Sequence, residues 1–343
     1  MIPVQKYTAL LLLALAALAP ARAQQAKPIL HFNAAGKFRI IQFTDTHFQF
    51  NSIRSDSVKL FIRQIIEKER PDLVVFTGDI VCSPKATTRE GWLSLTQPLV
   101  ETKTPWAITF GNHDAQYDMT RQQIMQLLAT IPYNLSVPGP PELSGCGNYT
   151  LEVKANDGRT NAALLYLFDS HEWPFDRRPD RPNEHTVYGE YDWIRMDQIQ
   201  WYRNTSQAFT HANHDKALPA LAFFHIPLPE FKDIIGNPTT VGFQGETVCS
   251  PDVNSGLFAS FIDMKDVMGV FCGHDHNNNY IGCRMNIALS YGCVTGRECY
   301  GITDRGARII ELTEGQRKFD TWLYTTHKTK KFMVSYPDSF ISE

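Results

Sequence analysis

Histidine, aspartate and asparagine side chains occur along this 343-residue chain in five short clusters whose chemistry suits metal binding. In chain order the clusters are Asp45-x-His47, Gly78-Asp79, Gly111-Asn112-His113-Asp114, His225 and Gly273-His274-Asp275-His276. Imidazole and carboxylate ligands together suit Mn²⁺, Fe or Zn²⁺ better than Ca²⁺ or Mg²⁺, which prefer oxygen ligands alone. Because these ligands are too many for one ion, we expect two divalent ions that share a bridging carboxylate.

Each cluster directly follows a short run of apolar residues. The runs cover residues 38–43, 73–76, 106–110, 221–224 and 267–271. Apolar runs of this length, bounded by Gly, Asp or Pro, predict buried β-strands. Glycine, aspartate and asparagine are also common turn residues, but turn formation alone does not explain why histidines recur where these strands end.

Helical patterns lie between the predicted strands and define the fold class. They cover residues 57–69, 119–131, 192–209 and 257–268, and residues 307–312 and 321–326 read as a hairpin that completes a sheet. Strands that alternate with helices predict a layered α/β fold. Loops at the carboxyl ends of the strands converge in such folds, so we expect the five clusters to meet at one edge of a sheet.

The composition excludes several classes of protein. Hydrophobic residues make up 43% of the chain, charged residues make up 20%, and the formal net charge is −3. A disordered chain would need lower hydrophobicity and higher net charge. A general binder of nucleic acid would need a basic excess. The sequence therefore indicates a globular protein with no specific nucleic-acid surface, and it leaves the oligomeric state open.

The first 23 residues have the pattern of a secretory signal peptide. Lys6 precedes a short apolar run, and Ala21-Arg22-Ala23 fits a signal-peptidase site. The apolar run is too short to span a bilayer, which needs about 20 residues. We expect a secreted or periplasmic protein with residues 24–343 forming a single domain and with no later transmembrane segment. Loss of Lys6 and Arg22 would change the net charge from −3 to −5.

All seven cysteines lie beyond this leader, where an oxidising compartment permits disulfides. The odd number leaves at least one thiol without a partner in the same chain. We expect a disulfide among Cys283, Cys293 and Cys299, although the sequence does not define the pairing. A cysteine-based zinc site is not expected, since no Cys-x-x-Cys pair occurs.

The ordered set of clusters resembles the calcineurin-like metallophosphoesterase family, whose pattern is DxH, GD, GNH(E/D), a single H and GHxH. The resemblance covers about residues 36–326, and the segments 254–258 and 273–276 are most similar to the purple acid phosphatase-like branch. It implies an α/β fold, a four-layer αββα sandwich in which helices flank two central mixed β-sheets.

The resemblance also implies a role for each cluster residue. It assigns three ligands to the first metal, one bridging ligand, and three ligands to the second metal: Asp45, His47 and His276; Asp79; and Asn112, His225 and His274. His113 would lie near the leaving-group oxygen as a general acid or electrostatic stabiliser, and Asp114 would orient or tune His113. Asn112 and His113 would also contact the substrate.

Two departures from the purple acid phosphatase pattern affect the metal site. Those enzymes carry a tyrosine three residues after the bridging aspartate, where this chain has Cys82, and DxG where this chain has DxH. We therefore expect a colourless site without an Fe(III)–tyrosinate centre. Cys82 could be a soft ligand, but a small buried hydrophobic residue is the favoured interpretation.

These features predict a secreted phosphoesterase that hydrolyses small phosphate monoesters or diesters by attack of a metal-bridging hydroxide. The alternative is a non-catalytic protein of the same fold that binds a phosphate ligand. Arg297 and Tyr300 could reach the substrate phosphate or could simply turn the chain beside two glycines. For Asp169-Ser170-His171 we expect a strand-end or rim position, and for loops 172–186 and 226–254 a rim or lid.

Overall fold

The computed structural model of the chain describes residues 27–84, 86–175 and 186–341. Over these residues the chain forms thirteen β-strands in two sheets, five α-helices and two short 3₁₀-helices. The signal peptide expected at residues 1–23 lies outside the described residues, as does most of the loop expected at 172–186. None of the helices within the described ranges is both long and apolar enough to cross a membrane.

The first sheet has six strands and carries the first three ligand clusters. Its spatial order is β13 (Lys330–Tyr336), β12 (Phe319–Thr325), β11 (Gly306–Thr313), β2 (Lys37–Phe43), β3 (Leu73–Thr77) and β4 (Trp106–Thr109). Strands β2, β3 and β4 are parallel, and β11, β12 and β13 are antiparallel. The predicted C-terminal hairpin is therefore confirmed. Strand β13 escaped prediction because it is a largely exposed edge strand that begins with Lys330 and Lys331.

The second sheet has seven strands and carries the last two clusters. Its spatial order is β1 (Leu30–His31), β5 (Tyr149–Lys154), β6 (Asn161–Leu167), β7 (Ala220–Phe223), β8 (Val267–Cys272), β10 (Ile287–Tyr291) and β9 (Ile281–Arg284). Strands β9 and β10 form a hairpin that was not predicted from the sequence. Met285 and Asn286 at its turn both have positive φ, as a two-residue hairpin turn requires.

Five α-helices lie in the described part of the chain. They are α1 (Ile53–Glu69), α2 (Thr88–Glu101), α3 (Arg121–Leu128), α4 (Met196–Ala212) and α5 (Leu257–Met264). Four of them connect neighbouring parallel strands, and α3 connects β4 of the first sheet to β5 of the second. Four of the five helices were predicted. Helix α2 was not, because it contains Gly91 and Pro98, two residues that normally argue against a helix interior. Gly91 packs so close to Val81 that a side chain would clash there.

Three apolar clusters separate four layers of secondary structure, which confirms the αββα architecture. Neighbouring strand residues point into different clusters, as the two-residue period of a strand requires. Ile40 lies between the two sheets, whereas Ile41 packs under the helices on the outer face of the six-stranded sheet. Leu165 also lies between the sheets, whereas Leu164 faces the helices on the other side. Both sheets are thus covered on both faces.

The carboxyl ends of strands from both sheets meet at one side of the molecule. Gln42 at the end of β2 donates through Nε2 to Thr77 Oγ1 in its own sheet and to the Cys272 carbonyl in the other, at 2.9 and 3.0 Å. The alternation of strands and helices predicted that the clusters meet at one edge of a single sheet. That expectation was incomplete, because β2, β3 and β4 contribute three clusters and β7 and β8 of the other sheet contribute two.

Candidate metal centre

Six of the seven predicted ligands form two groups, and within each group the possible ligand atoms lie within 4.8 Å of one another. The first group is Asp45, His47, Asp79 and His276, and the second is Asp79, His225 and His274. Asp79 belongs to both groups because its Oδ2 lies 3.6 Å from His47 Nε2 and 3.3 Å from His225 Nε2. Asn112 joins the second group, since its Oδ1 lies 3.0 Å from His225 Nε2.

Four of these ligands have a left-handed backbone, which is uncommon for residues other than glycine. Asp45, His47, Asp79 and His274 have φ values between 40° and 79°. Such conformations cost of order 1–3 kcal/mol each and persist only where the surrounding structure imposes them. The sharp turn at the end of each strand thus directs these side chains into the site at the expense of local stability.

Glycines beside the ligands permit the close approach that the site requires. A Cβ on Gly273 would lie 1.8 Å from Thr44 Oγ1 and 2.6 Å from Asp45 Oδ2. A Cβ on Gly78 would lie 2.3 Å from the ring of His225. The glycines in the GD and GHxH motifs are therefore required by contacts between the two sheets.

In the metal-free site, the two carboxylates pair with two of the imidazoles. Burial alone would lower the pKa of His276, but Asp45, 3.3 Å away, raises it to about 11. Burial would likewise lower the pKa of His225, but Asp79 raises it to about 9. The same pairs keep the pKa of both carboxyls below the usual range despite burial.

The other two imidazoles are held neutral, as metal ligands must be. Burial lowers the pKa of His47 to about 4 and that of His274 to about 3. Their ring nitrogens lie opposite those of the paired imidazoles, with His47 Nε2 3.2 Å from His276 Nε2 and His274 Nδ1 3.3 Å from His225 Nε2. The carboxylate oxygens and ring nitrogens thus form two groups that share Asp79. This arrangement fits two divalent cations with Asp79 between them.

Several of the predicted ligands line a cavity with a volume of about 260 Å³, and His113 lies beside them and lines the same cavity. Its backbone N–H donates to Asp79 Oδ1 at 2.8 Å, and its ring Nε2 lies 4.0 Å from Asp79 Oδ2. Ring Nδ1 is 2.8 Å from Gln116 Oε1. Gln116 was not identified from the sequence as a site residue. In the structure it makes the contact with the His113 ring that had been expected of Asp114.

Asp114 instead ties two ligand loops together. Its carboxylate accepts backbone N–H bonds from Gly111, Ile80 and Val81 at 2.7 to 3.1 Å. Burial and the charge of Asp79 raise the pKa of Asp114 to about 6. Asp114 thus holds the loop that carries Asn112 and His113 against the loop that carries Asp79, and its expected role in orienting or tuning His113 stays a prediction.

Three aromatic side chains, those of Trp173, Tyr191 and Tyr300, line the cavity. Tyr300 lines it and stacks on His276 with ring centroids 4.1 Å apart, whereas Arg297 lines a different depression. Trp173 and Tyr191 were missed. Their rings lie 6.1 Å from His113 and 4.5 Å from His274, respectively. Trp173 belongs to the loop predicted to form a rim or lid, and Tyr191 follows that loop.

Asp275, between the two histidines of the GHxH motif, is buried. The sequence left open whether it supports the ligands or faces outward. Its carboxylate accepts hydrogen bonds from Tyr291 Oη and from the Cys249 N–H at 3.2 Å. Asp275 therefore anchors the turn on which His274 and His276 lie.

Comparison with known proteins identifies the family. The family model described as calcineurin-like phosphoesterase matches residues 38–278. The chain belongs to the calcineurin-like phosphoesterase family. The match contains all five clusters.

Relatives place this calcineurin-like phosphoesterase near the purple acid phosphatases. A protein named "Probable inactive purple acid phosphatase 29" from Arabidopsis thaliana is 32% identical over 88% of this chain and 83% of its own length. "Phosphatase DCR2" from Saccharomyces cerevisiae is 31% identical over 84% of this chain and 53% of its own length. Relatives thus include one named as a phosphatase and one named as probably inactive.

A solved structure shares the fold. A dimetal phosphatase from Danio rerio superposes with a TM-score of 0.58 at 12% identity, over 87% of this chain and 98% of that chain. The superposition shows a shared fold of two sheets with flanking helices, and at this low identity it shows the fold alone.

The cysteines of this calcineurin-like phosphoesterase differ from expectation. All seven lie in the described part of the chain and are free thiols, so the disulfide expected among Cys283, Cys293 and Cys299 is absent. Cys82 is buried, and burial raises its pKa well above the usual range. It belongs to none of the ligand groups found among the described residues, which agrees with the favoured interpretation of Cys82 as a small buried hydrophobic residue.

The Asp169-Ser170-His171 segment is connected through Arg121 to the loop that carries Asn112 and His113. The Asp169 carboxylate accepts two bonds from Arg121 Nη1 at 2.6 and 2.7 Å, and Arg121 Nη2 donates to the Gly111 carbonyl at 3.0 Å. Gly111 directly precedes Asn112, so this buried pair fixes the start of the loop that carries Asn112 and His113. The segment lies at a strand end, as expected, but it is buried rather than part of a rim.

Proposed function

We propose that this calcineurin-like phosphoesterase is an exported enzyme that uses two metal ions to hydrolyse small phosphate monoesters or diesters. One observation carries the proposal. Two ligand groups share Asp79, and His113 faces the same cavity without belonging to either group. This arrangement provides sites for two cations and a separate group that can transfer a proton.

The chain's own residues would divide the work as follows. Two divalent ions, when bound, supply Lewis acidity that binds phosphate oxygens and acidifies the attacking water. Gln116 accepts from His113 Nδ1 and holds the ring, so that Nε2 can pass a proton to the leaving-group oxygen. Trp173 and Tyr191 form an aromatic wall beside these groups, with ring centroids 5.6 Å apart, and this wall can limit access of bulk water.

The charge of the cavity makes phosphate binding depend on the metals. The described residues that line it include the carboxylates of Asp79, Asp275 and Glu298, and no lysine or arginine. A phosphate anion would therefore be repelled by the metal-free site. Two divalent ions would bring about four positive charges and displace about two protons from the imidazoles, so the site would become more positive and would attract phosphate more strongly.

The alternative is a non-catalytic protein of the same fold that binds a phosphate ligand. It is favoured by the name of the plant relative, which describes that protein as probably inactive. Against it stand His113 and all seven predicted ligands, which this chain contains and brings together.

The decisive experiment expresses the full chain in a secreting host and isolates the product. N-terminal sequencing should give Gln24 as the first residue if residues 1–23 direct export. The product is then loaded with Mn²⁺, Zn²⁺ or Fe²⁺, analysed for bound metal, and assayed against a panel of phosphate monoesters and diesters. Two ions per chain together with hydrolysis support the enzyme, whereas two ions without hydrolysis of any ester support the binding protein.

Two variants separate proton transfer from metal binding. His113→Ala should retain both ions and lose roughly 10²- to 10⁴-fold in kcat on esters with poor leaving groups. Asp79→Ala should lose metal as well as activity. A His113→Ala protein with full rate on a poor leaving group would show that the assigned role of His113 is wrong.

A further inference from the structure

A third group of possible metal ligands overlaps the first metal site. The sulfur of Cys299 and ring nitrogens of His47 and His276 lie within 4.8 Å of one another. Cys299 Sγ also lies 3.7 Å from the backbone carbonyl of Asp45. The thiol is partly exposed and lines the cavity that contains the two predicted metal sites.

The loop that carries Cys299 is held firmly against the ligands. The Gly296 N–H donates to the Asp45 carbonyl at 3.0 Å. The neighbouring Tyr300 stacks on His276 and its carbonyl lies 3.1 Å from His276 Nδ1. Arg305 Nη2 donates to the carbonyls of Cys299 and Tyr300 at 3.2 and 3.0 Å. These contacts hold the Cys299 loop beside His47 and His276, the two imidazoles that are grouped with its sulfur.

We propose that Cys299 supplies a thiolate ligand to the metal ion of the first site, together with His47 and His276. The inference rests on the proposed function, because it requires the first site to hold a metal. On coordination the S–H bond breaks, its proton passes to solvent and a sulfur–metal bond forms, without change of oxidation state. A sulfur donor beside imidazole and carboxylate favours Zn²⁺ or Fe²⁺ over Mn²⁺.

Two other cysteines near the site provide matched controls. Cys249 lines the same cavity, but it belongs to none of the ligand groups in the described part of the chain. Cys82 occupies the position of the tyrosine ligand of purple acid phosphatases, and it is likewise outside those groups. A thiol-specific signal from the first metal should therefore depend on Cys299 and not on Cys249 or Cys82.

The test replaces the metals with Co²⁺ and records the near-ultraviolet absorption of the purified full-length product. A thiolate bound to Co²⁺ gives a sulfur-to-cobalt charge-transfer band that nitrogen and oxygen ligands do not give. We expect the band in the wild-type protein, in Cys249→Ser and in Cys82→Ser, and its loss in Cys299→Ser. Competition with a chelator should show that Cys299→Ser binds Zn²⁺ at least roughly tenfold more weakly, and Mn²⁺ with a smaller change.

The outcomes distinguish this inference from the proposed function. Two cobalt ions per chain without the band, or with a band that persists in Cys299→Ser, would overturn the thiolate ligand while leaving the two-metal enzyme intact. A wild-type protein that binds no cobalt would overturn the proposed function itself. Circular dichroism of Cys299→Ser checks that loss of the band does not reflect unfolding, and Cys299→Ala provides a second substitution without a hydroxyl.

Discussion

At the scale of single residues, Asp79 joins the two groups of predicted ligands. Its Oδ1 accepts the N–H of His113, while Oδ2 lies between the imidazoles of His47 and His225. Without metals, this negative charge is balanced by a protonated His225, and that of Asp45 by a protonated His276. Protons and metal ions therefore compete for the same lone pairs.

This competition predicts that metal binding releases protons. His225 and His276 have pKa values raised to about 9 and about 11, so both are protonated at pH 7 in the metal-free site, whereas His47 and His274 are already neutral. Filling both sites at pH 7 should release about two protons per chain, and the apparent affinity should rise with pH.

Isothermal titration calorimetry in buffers of different ionisation enthalpy measures this proton count. The Cys299→Ser variant is the suitable protein, because it removes any proton contributed by the thiol. Release of fewer than one proton would mean that the two carboxylates do not hold protonated imidazoles in the metal-free site.

At the scale of elements, the ligand loops are rigid because buried polar groups tie them to their neighbours. Asp114 joins the turns after β3 and β4 through three backbone N–H bonds. Arg121, in the first turn of α3, joins Asp169 after β6 to the Gly111 carbonyl after β4. Burial alone would raise the pKa of Asp169, but Arg121 keeps it below its usual value, so the pair remains ionised.

Breaking the Arg121–Asp169 pair should therefore destabilise the protein strongly. Arg121→Ala leaves the fully buried carboxylate of Asp169 without its cation, which typically costs about 3–5 kcal/mol in the free energy of unfolding. Denaturant unfolding of the metal-free protein measures the loss. Arg203→Ala is the control, since Arg203 pairs with Asp263 at the surface and should cost about 1 kcal/mol or less. Equal losses in the two variants would contradict the structural role of the buried pair.

At the scale of the whole molecule, the site depends on how the two sheets pack against each other. Asp45, His47, Asp79 and Asn112 follow strands of the six-stranded sheet, whereas His225, His274 and His276 follow strands of the other. Each metal group includes residues from both sheets. The apolar core between the sheets therefore sets the distances on which metal binding depends.

A cavity in that core should weaken both stability and metal binding. The ring of Phe271 lies between the sheets, 5.4 Å from the ring of Phe223 and 5.7 Å from that of Phe319. Phe271→Ala should lower the free energy of unfolding by about 3–5 kcal/mol. Met333→Ala, at an exposed position of β13, should have little effect. Equal denaturation midpoints for these two variants would show that the core between the sheets is not a main source of stability.

Features that depend on short stretches of sequence were predictable. Apolar runs followed by Asp, Asn or His identified the strands that carry the five clusters and the carboxyl ends of those strands, because strand formation is visible within a few residues. Helix α1 was predicted for the same reason, whereas α2 was not, because packing at Gly91 and Pro98 overrode their local preference. The resemblance of the ordered motifs to a known family then implied the seven predicted ligands.

Contacts between distant segments were decided only by the tertiary structure. Cys299 lies close to His47, although about 250 residues of sequence separate them, and its thiol donates to the backbone carbonyl of the nearby Asp45. Tyr191 contacts His274 from another loop. Asp114 and Gln116 are both near His113 in sequence, yet only the turn geometry determines which of them contacts its ring. The sequence by itself determined which residues can bind metal and where strands end. Packing of the two sheets decided which side chains share each site, because local patterns do not specify how far apart two strand ends lie once the core has formed.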